Sequence, residues 1–183
     1  GDLRQAPTGP ENRNGRLNRE QLHMPTVFTA REIAETAVEK EMKRRDFYAH
    51  VARLSTDPEM KRLFEFLTAE EDRHVATFAK LRDGVPVEEV RPEEYDADMQ
   101  AYMDSVVEDK LYTKIGSEDF VQKAIEAKDV FRLAIALEKD AILFFWEFLP
   151  YVNDTDKKVV KTLVDEEKGH IRMLWKLKQE LGQ

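Results

Sequence analysis

The sequence predicts an all-α protein with the architecture of a four-helix bundle. Of its 183 residues, 36% are charged and 42% are hydrophobic, with only 7 Gly and 7 Pro, a composition typical of long amphipathic helices. The chain also resembles itself, because residues 37–48 align with residues 134–145 at an offset of 97 positions, and residues 67–81 align with residues 163–177 at an offset of 96. Repetition over two consecutive helices indicates a duplicated helical hairpin.

The first predicted hairpin lies between residues 29 and 84. Helix 1 begins at the capping box Thr29-Ala30-Arg31-Glu32 and runs to about Leu54. Helix 2 opens at Thr56-Asp57-Pro58-Glu59, where a proline is tolerated in the first turn, and Asp83-Gly84 closes it. Because the loop between them is short, the two helices are predicted to be antiparallel neighbours.

A long connection leads to the second hairpin. Residues 85–91 are predicted to be irregular, and shorter helices are predicted over 94–109 and 117–127, separated near Gly116. This stretch is long enough to cross from one end of a bundle to the other. Helix 3 is predicted to begin near Asp129 and to end before Pro150, and helix 4 to begin within 153–155 and to end at Gly182.

The chain before helix 1 has a different composition. Residues 1–28 are polar and rich in Pro, Gly, Asn and Arg, without apolar periodicity. We therefore expect a flexible N-terminal arm at 1–28 and one bundle domain over 29–183. The alternative is an arm that packs across a neighbouring subunit.

Charge and cysteine content exclude several classes of function. A net charge of −8 offers no basic face for nucleic acid. The absence of Cys excludes thiolate zinc sites, iron–sulfur clusters and a rubredoxin-type module, so oxygen and imidazole must hold any redox metal. The sequence contains no run of about 18 apolar residues, so no membrane span is predicted. No secretory signal is recognisable, so the cytoplasm is the expected compartment.

Acids and histidines on the predicted apolar faces indicate a metal site. Each repeat carries a carboxylate three residues before an imidazole, and residues i and i+3 project from the same face of a helix. One helix earlier, each repeat places a lone acid in an apolar stripe, where an unpaired charge would cost several kcal/mol. The six predicted ligands are Glu41, Glu71, His74, Glu138, Glu167 and His170.

This ligand set suits two metal ions bridged by carboxylates. Di-iron carboxylate bundles have this arrangement: two helices each supply one Glu, and the other two each supply a Glu-x-x-His pair. Oxygen and imidazole donors fit two iron ions, with manganese or zinc as substitutes. Four carboxylates balance two divalent ions, which explains how acids are tolerated in a core. The first stripe is less regular than the second, because Arg44 or Arg45 interrupts it.

The same motifs resemble the ferritin-like domain of rubrerythrin-related proteins. The resemblance covers about residues 29–181, through AVEKEMKRRDFY, AIALEKDAILFF, LTAEEDRHVATF and LVDEEKGHIRML. It implies a ferritin-like fold and a non-haem di-iron centre held by the six residues above. It also implies an oxidoreductase that reacts with hydrogen peroxide or dioxygen, as a peroxidase or a ferroxidase.

Two departures from that family bear on the mechanism. Where rubrerythrins carry a further Glu one turn after the helix 3 ligand, this chain has Ala141, which puts their redox-linked ligand exchange in doubt. Rubrerythrins also carry a four-cysteine rubredoxin domain, and this chain has no Cys. The electron donor is therefore expected to be a separate molecule.

Three neighbouring residues have less decided roles. Tyr48, two turns after Glu41, is a candidate for donating a hydrogen bond or an electron near the site, although a Tyr that only packs in the core has the same pattern. Glu70 and Glu166 are expected to face solvent or to support the ligands.

The expected assembly is a homodimer, in which the segment 94–127 packs on its own bundle or swaps to the partner. Two other functions fit the same residues. One is an iron carrier, storage protein or sensor without turnover. The other is a structural bundle whose site holds zinc or nothing.

Overall fold

Five α-helices make up the regular structure of the part of the chain that is described, which is residues 30–84, 101, 105 and 112–183 of a computed structural model. They are α1 (Ala30–Leu54), α2 (Pro58–Gly84), α3 (Glu118–Glu126), α4 (Val130–Phe148) and α5 (Asp154–Glu180), with a 3-10 turn over Leu149–Tyr151. The all-α prediction is confirmed. The predicted arm at 1–28 and, except for helical Ala101 and Ser105, the predicted helix at 94–109 lie outside the described residues.

The helix ends follow from local capping. The Asp57 carboxylate accepts from the Met60 backbone N–H at 2.8 Å, so it caps α2 just before Pro58. The Asn153 side chain accepts from two backbone N–H groups of the first turn of α5. Gly182, just beyond α5, has a φ of 67°, in the left-handed region that favours glycine. These ends lie within a residue or two of those predicted.

Contacts between the four long helices give the topology. The three residues between α1 and α2 make these two helices an antiparallel hairpin, and α4 and α5 form the second hairpin. Across the hairpins, Lys40 binds Asp140 and Arg44 binds the Leu137 carbonyl, so α1 and α4 run in opposite directions. α2 and α4 are therefore parallel. The end of α2 and the start of α4 consequently lie at opposite ends of the bundle, as the crossover prediction requires.

The bundle core consists of two apolar clusters with a polar layer between them. The Phe64 cluster takes side chains from all four long helices and from α3, among them Phe47, Tyr48, Phe64, Phe131, Leu137 and Leu174. The Phe78 cluster takes side chains from the four long helices, among them Ile33, Phe78, Phe144, Phe145, Phe148 and Leu163. Each long helix thus passes from one cluster to the other and crosses the polar layer near its middle.

Aromatic rings fix the spacing of the helices on both sides of the layer. In the Phe64 cluster, ring centroids lie 5.5 Å apart for Tyr48 and Phe64 and 5.9 Å apart for Phe64 and Phe131. In the Phe78 cluster, the Phe78 ring lies 4.8 Å from that of Phe145. Large rings contribute much of the apolar area that stabilises the bundle, so they hold the four backbones around the layer. None of the described helices has the length and apolar character needed to cross a membrane.

We predict that Phe78→Ala lowers the free energy of unfolding by about 3–5 kcal/mol, because the fully buried ring leaves a cavity between α2 and α4. Urea denaturation in the presence of a chelator measures the loss. Phe66→Ala is the matched control on the same helix, because the Phe66 side chain is 45% exposed. Equal losses for the two variants would contradict the described core.

Candidate metal centre

The six predicted ligands lie together in the polar layer. Glu41 comes from α1, Glu138 from α4, and the two Glu-x-x-His pairs from α2 and α5. All six are buried, and none is more than 2% exposed. The i,i+3 spacing within α2 and α5 and the repeat between the hairpins are what bring these side chains to one level of the bundle.

Their donor atoms form two overlapping groups. The first consists of Glu41, Glu71, His74 and Glu167, and the second of Glu71, Glu138, Glu167 and His170. Within each group, one ligand atom per residue lies within 4.8 Å of every other. Glu71 and Glu167 belong to both groups, so the two groups share two carboxylates.

Each of the two shared carboxylates offers one oxygen to each group. Around His74 Nδ1 lie Glu167 Oε1 at 3.1 Å, Glu71 Oε2 at 3.5 Å and Glu41 Oε2 at 3.6 Å. Around His170 Nδ1 lie Glu167 Oε2 at 2.8 Å, Glu138 Oε1 at 3.4 Å and Glu71 Oε1 at 3.9 Å. The two imidazole rings stack with centroids 5.7 Å apart. The layer therefore contains two adjacent subsites of similar composition.

Arg44 is the site residue that the sequence prediction missed. Its side chain is fully buried, and Nη2 donates to Glu41 Oε2, to Glu71 Oε2 at 3.2 Å and to Glu167 Oε1 at 3.1 Å. Nη1 lies 3.6 Å from an oxygen of Glu138. The sequence contains a clue to this role, because Arg44 is three residues after Glu41 and interrupts the apolar stripe. The clue is ambiguous, since Arg45 interrupts the same stripe.

Arg45 lies at the edge of the layer. Its side chain is 28% exposed, and its guanidinium pairs with Asp46 at 2.8 Å and with Asp72 at 3.4 Å. Two adjacent residues of a helix point about 100° apart, so only one of the two arginines could face the interior. The packing of the four helices selects Arg44.

The donor set fits metal ions in chemical type. Carboxylate and imidazole groups suit iron, manganese or zinc. Glu41 Oε1, Glu71 Oε1 and Glu138 Oε2 are buried and have no hydrogen-bond partner in the part of the chain that the structure describes. Such buried acceptors are costly unless a cation or a donor satisfies them. Arg44 already contacts the three carboxylates of the first group, whereas among the oxygens of the second group it only approaches Glu138, at 3.6 Å.

Burial and the neighbouring charges raise the pKa of Glu138 and Glu71 but leave the pKa of Glu167 lowered. Burial and the Glu167 charge raise the pKa of Glu138 to about 7. Burial raises the pKa of Glu71 well above its usual value, in spite of Arg44. For Glu167, burial acts in the same direction, but Arg44 and both histidines outweigh it and hold the pKa well below the usual value. Glu167 therefore keeps its charge more readily than its two neighbours.

The histidines respond to the same carboxylates. Burial lowers the pKa of His170, but hydrogen bonding to Glu138 and Glu167 outweighs burial and raises this pKa to about 9. The pKa of His74 is raised further above its ordinary value by Glu167, Glu41 and Glu71. The protonated imidazoles and Arg44 thus supply the positive charge that balances the acids.

Two side chains outside the six support them. The Tyr48 hydroxyl donates to Glu138 Oε1 at 2.7 Å, so it links α1 to α4 through the site. Glu166 Oε2 lies 3.0 Å from His74 Nε2 and orients that ring from α5. Glu70 instead pairs with Arg73 on the protein surface. Of the two acids next to the ligands, only Glu166 contacts a predicted ligand in this way.

Comparison with known proteins gives one significant similarity of fold. No family model matches the chain, and no curated protein matches it significantly. A crystal structure from Thermotoga maritima, provisionally described as a ferritin-like diiron-carboxylate protein, superposes with a TM-score of 0.62. The match covers 84% of this chain and 96% of the other at 24% identity. The chain therefore has the ferritin-like fold that the sequence predicted.

We predict that Tyr48→Phe lowers the free energy of unfolding by about 1–3 kcal/mol, because Glu138 Oε1 loses a buried hydrogen-bond donor while the ring packing stays. Urea denaturation of the chelator-treated protein measures the change. Circular dichroism should show unchanged helix content. A variant as stable as the original chain would mean that the hydroxyl contributes nothing to the layer.

We predict that Arg44→Met lowers the free energy of unfolding by about 3–5 kcal/mol in the presence of a chelator, because it leaves the buried carboxylates without their cation. Arg45→Met is the control, since its partly exposed guanidinium pairs only at the edge of the layer. If Arg44→Met were no less stable than Arg45→Met, the described ion pairs would not support the fold.

Proposed function

We propose that this chain is a non-haem iron oxidoreductase whose polar layer binds two iron ions that react with hydrogen peroxide or dioxygen. The observation that carries the proposal is the pair of four-residue groups that share Glu71 and Glu167. Two shared carboxylates between two imidazoles are what a carboxylate-bridged pair of ions requires. The description of the Thermotoga maritima protein as a diiron-carboxylate protein agrees with this proposal.

Iron is the metal that best combines this donor set with redox chemistry. Manganese and zinc accept the same oxygen and nitrogen ligands, but zinc has no redox chemistry. Glu41 and His74 would hold one ion, Glu138 and His170 the other, with Glu71 and Glu167 between them. When bound, an iron pair supplies the two electrons that reduce peroxide to water.

The protein itself would supply geometry, seclusion and protons. The Phe64 and Phe78 clusters close the layer on both sides and exclude bulk water. Tyr48 holds a proton at Glu138 Oε1, beside the carboxylate that would hold the second ion. Reduction of one peroxide to two waters consumes two electrons and two protons. Since the chain has no Cys, a separate donor would return the electrons. We include in the same proposal that Tyr48 donates an electron near the site.

One observation favours a second candidate, an iron carrier or sensor without turnover. Arg44 and the two histidines already place positive charge beside the carboxylates, so charge balance in the layer does not depend on a permanently bound metal. Such a protein would bind and release iron, whereas an oxidoreductase would turn over a reductant and an oxidant.

We predict that the purified protein binds Fe(II) anaerobically and that the bound iron is oxidised faster than free Fe(II) on mixing with hydrogen peroxide or dioxygen. Stopped-flow absorbance follows the oxidation, and repeated turnover with an added reductant separates the oxidoreductase from the carrier. Fast reaction with peroxide alone indicates a peroxidase, and fast reaction with dioxygen indicates a ferroxidase.

The matched variants for this experiment lie on one helix. Glu167→Gln removes a bridging carboxylate and should abolish accelerated oxidation. Asp165→Asn alters an exposed acid two residues away, which pairs with Lys168 on the same helix, and should leave the reaction unchanged. Stoichiometric iron binding without accelerated oxidation would favour the carrier, and no iron binding at all would overturn both functions.

A further inference from the structure

We propose that Arg44 acts as an internal cation that occupies the first subsite, so that the two subsites take up metal in a fixed order. The first ion enters the subsite of Glu138 and His170, and a second ion enters the subsite of Glu41 and His74 only by displacing the guanidinium. This inference rests on the proposed function, because it concerns how the same layer is loaded.

The position of one nitrogen atom carries the proposal. Arg44 Nη2 bonds the Oε2 atoms of Glu41 and Glu71 and the Oε1 atom of Glu167. These are the same three oxygens that surround His74 Nδ1 in the first group. A cation bound by that group would need the oxygens that Nη2 holds, so the guanidinium and a metal ion compete for one place.

The second group holds no guanidinium, and the cation beside its oxygens is His170, which a metal ion would bind in place of a proton. Its oxygens from Glu71 and Glu167 are the opposite ones, Oε1 and Oε2 respectively. Neither is bonded by Arg44, whose Nη1 approaches this group only at 3.6 Å from Glu138 Oε2. The two subsites therefore share two carboxylates and each contain a histidine, but only the first also contains a guanidinium nitrogen.

The internal repeat shows that this difference lies in the sequence. At the offset of 97 that relates Glu41 to Glu138, Arg44 corresponds to Ala141, whose side chain is too short to reach the layer. The same offset relates Tyr48, which donates to Glu138, to Phe145, which has no hydroxyl to offer Glu41. In the first half Arg44 supplies the donor to Glu41, and its guanidinium carbon lies 5.9 Å from the centre of the Phe145 ring.

The Arg44 guanidinium has one hydrogen-bond acceptor outside the first subsite, which it can retain when a metal ion displaces it. Nη1 donates to the Leu137 carbonyl on α4 at 3.4 Å, and this bond does not involve the nitrogen that bonds Glu41. Displacement would therefore leave Arg44 with one buried partner. It would still break three contacts with carboxylates, so the second ion should bind far more weakly than the first.

We predict that anaerobic calorimetric titration of the full chain with Fe(II) gives one tight site and a second that is about a hundredfold weaker or more. Arg44→Ala, which copies the residue at the equivalent position of the other half, should give two sites of similar affinity. Elemental analysis after desalting should then find one iron per chain in the original protein and two in the variant. Arg45→Ala is the control and should retain a single tight site.

A repeat-matched pair of histidine variants tests the order without altering Arg44. His170→Ala should lose the tight site, whereas His74→Ala should keep it. Equal losses in the two variants, or two equally tight sites in the original chain, would overturn the inference and leave the proposed iron function standing. Absence of iron binding in the original chain and in Arg44→Ala would overturn the proposed function itself.

Discussion

Four carboxylates lie side by side in the interior of this bundle, and the cations beside them make that arrangement tolerable. An unpaired buried carboxylate costs several kcal/mol, and like charges at this distance repel each other strongly. Arg44 reaches all four acids, and His74 and His170 add a positive charge on either side. Every other feature of the core is consistent with this requirement, because the layer must be screened from water and held at a fixed spacing.

The apolar clusters meet that requirement by packing on both sides of the layer. Each long helix contributes large side chains to the Phe64 cluster and to the Phe78 cluster, and it contributes its polar residues between them. A duplicated hairpin produces this arrangement economically, since two copies of one pattern, brought together antiparallel, place two equivalent ligand sets face to face. The duplication also allows the two halves to be compared position by position. Arg44 in the first half corresponds to Ala141 in the second, and this difference gives the two subsites unequal charge.

The same layer connects stability with the proposed chemistry. A site that relied on iron alone for charge balance would be unstable whenever iron was scarce, whereas here Arg44 and the histidines already contact the carboxylates. Metal would then replace protons and the guanidinium rather than fill a preformed space. Binding is expected to be weaker for this reason, but a metal-free protein that stays folded can take up iron repeatedly.

The sequence by itself determined the helices that the structure describes, their order and the six side chains that meet in the polar layer, because capping residues, apolar periodicity and the repeat are local patterns. It also predicted the ferritin-like fold through its resemblance to rubrerythrin-related proteins. Only the tertiary structure decided that Arg44 rather than Arg45 enters the layer, that Glu166 rather than Glu70 contacts His74, and which carboxylate oxygen belongs to which subsite. The physical reason is that these choices depend on the rotation and register of one helix against another, which no pattern within a single helix contains.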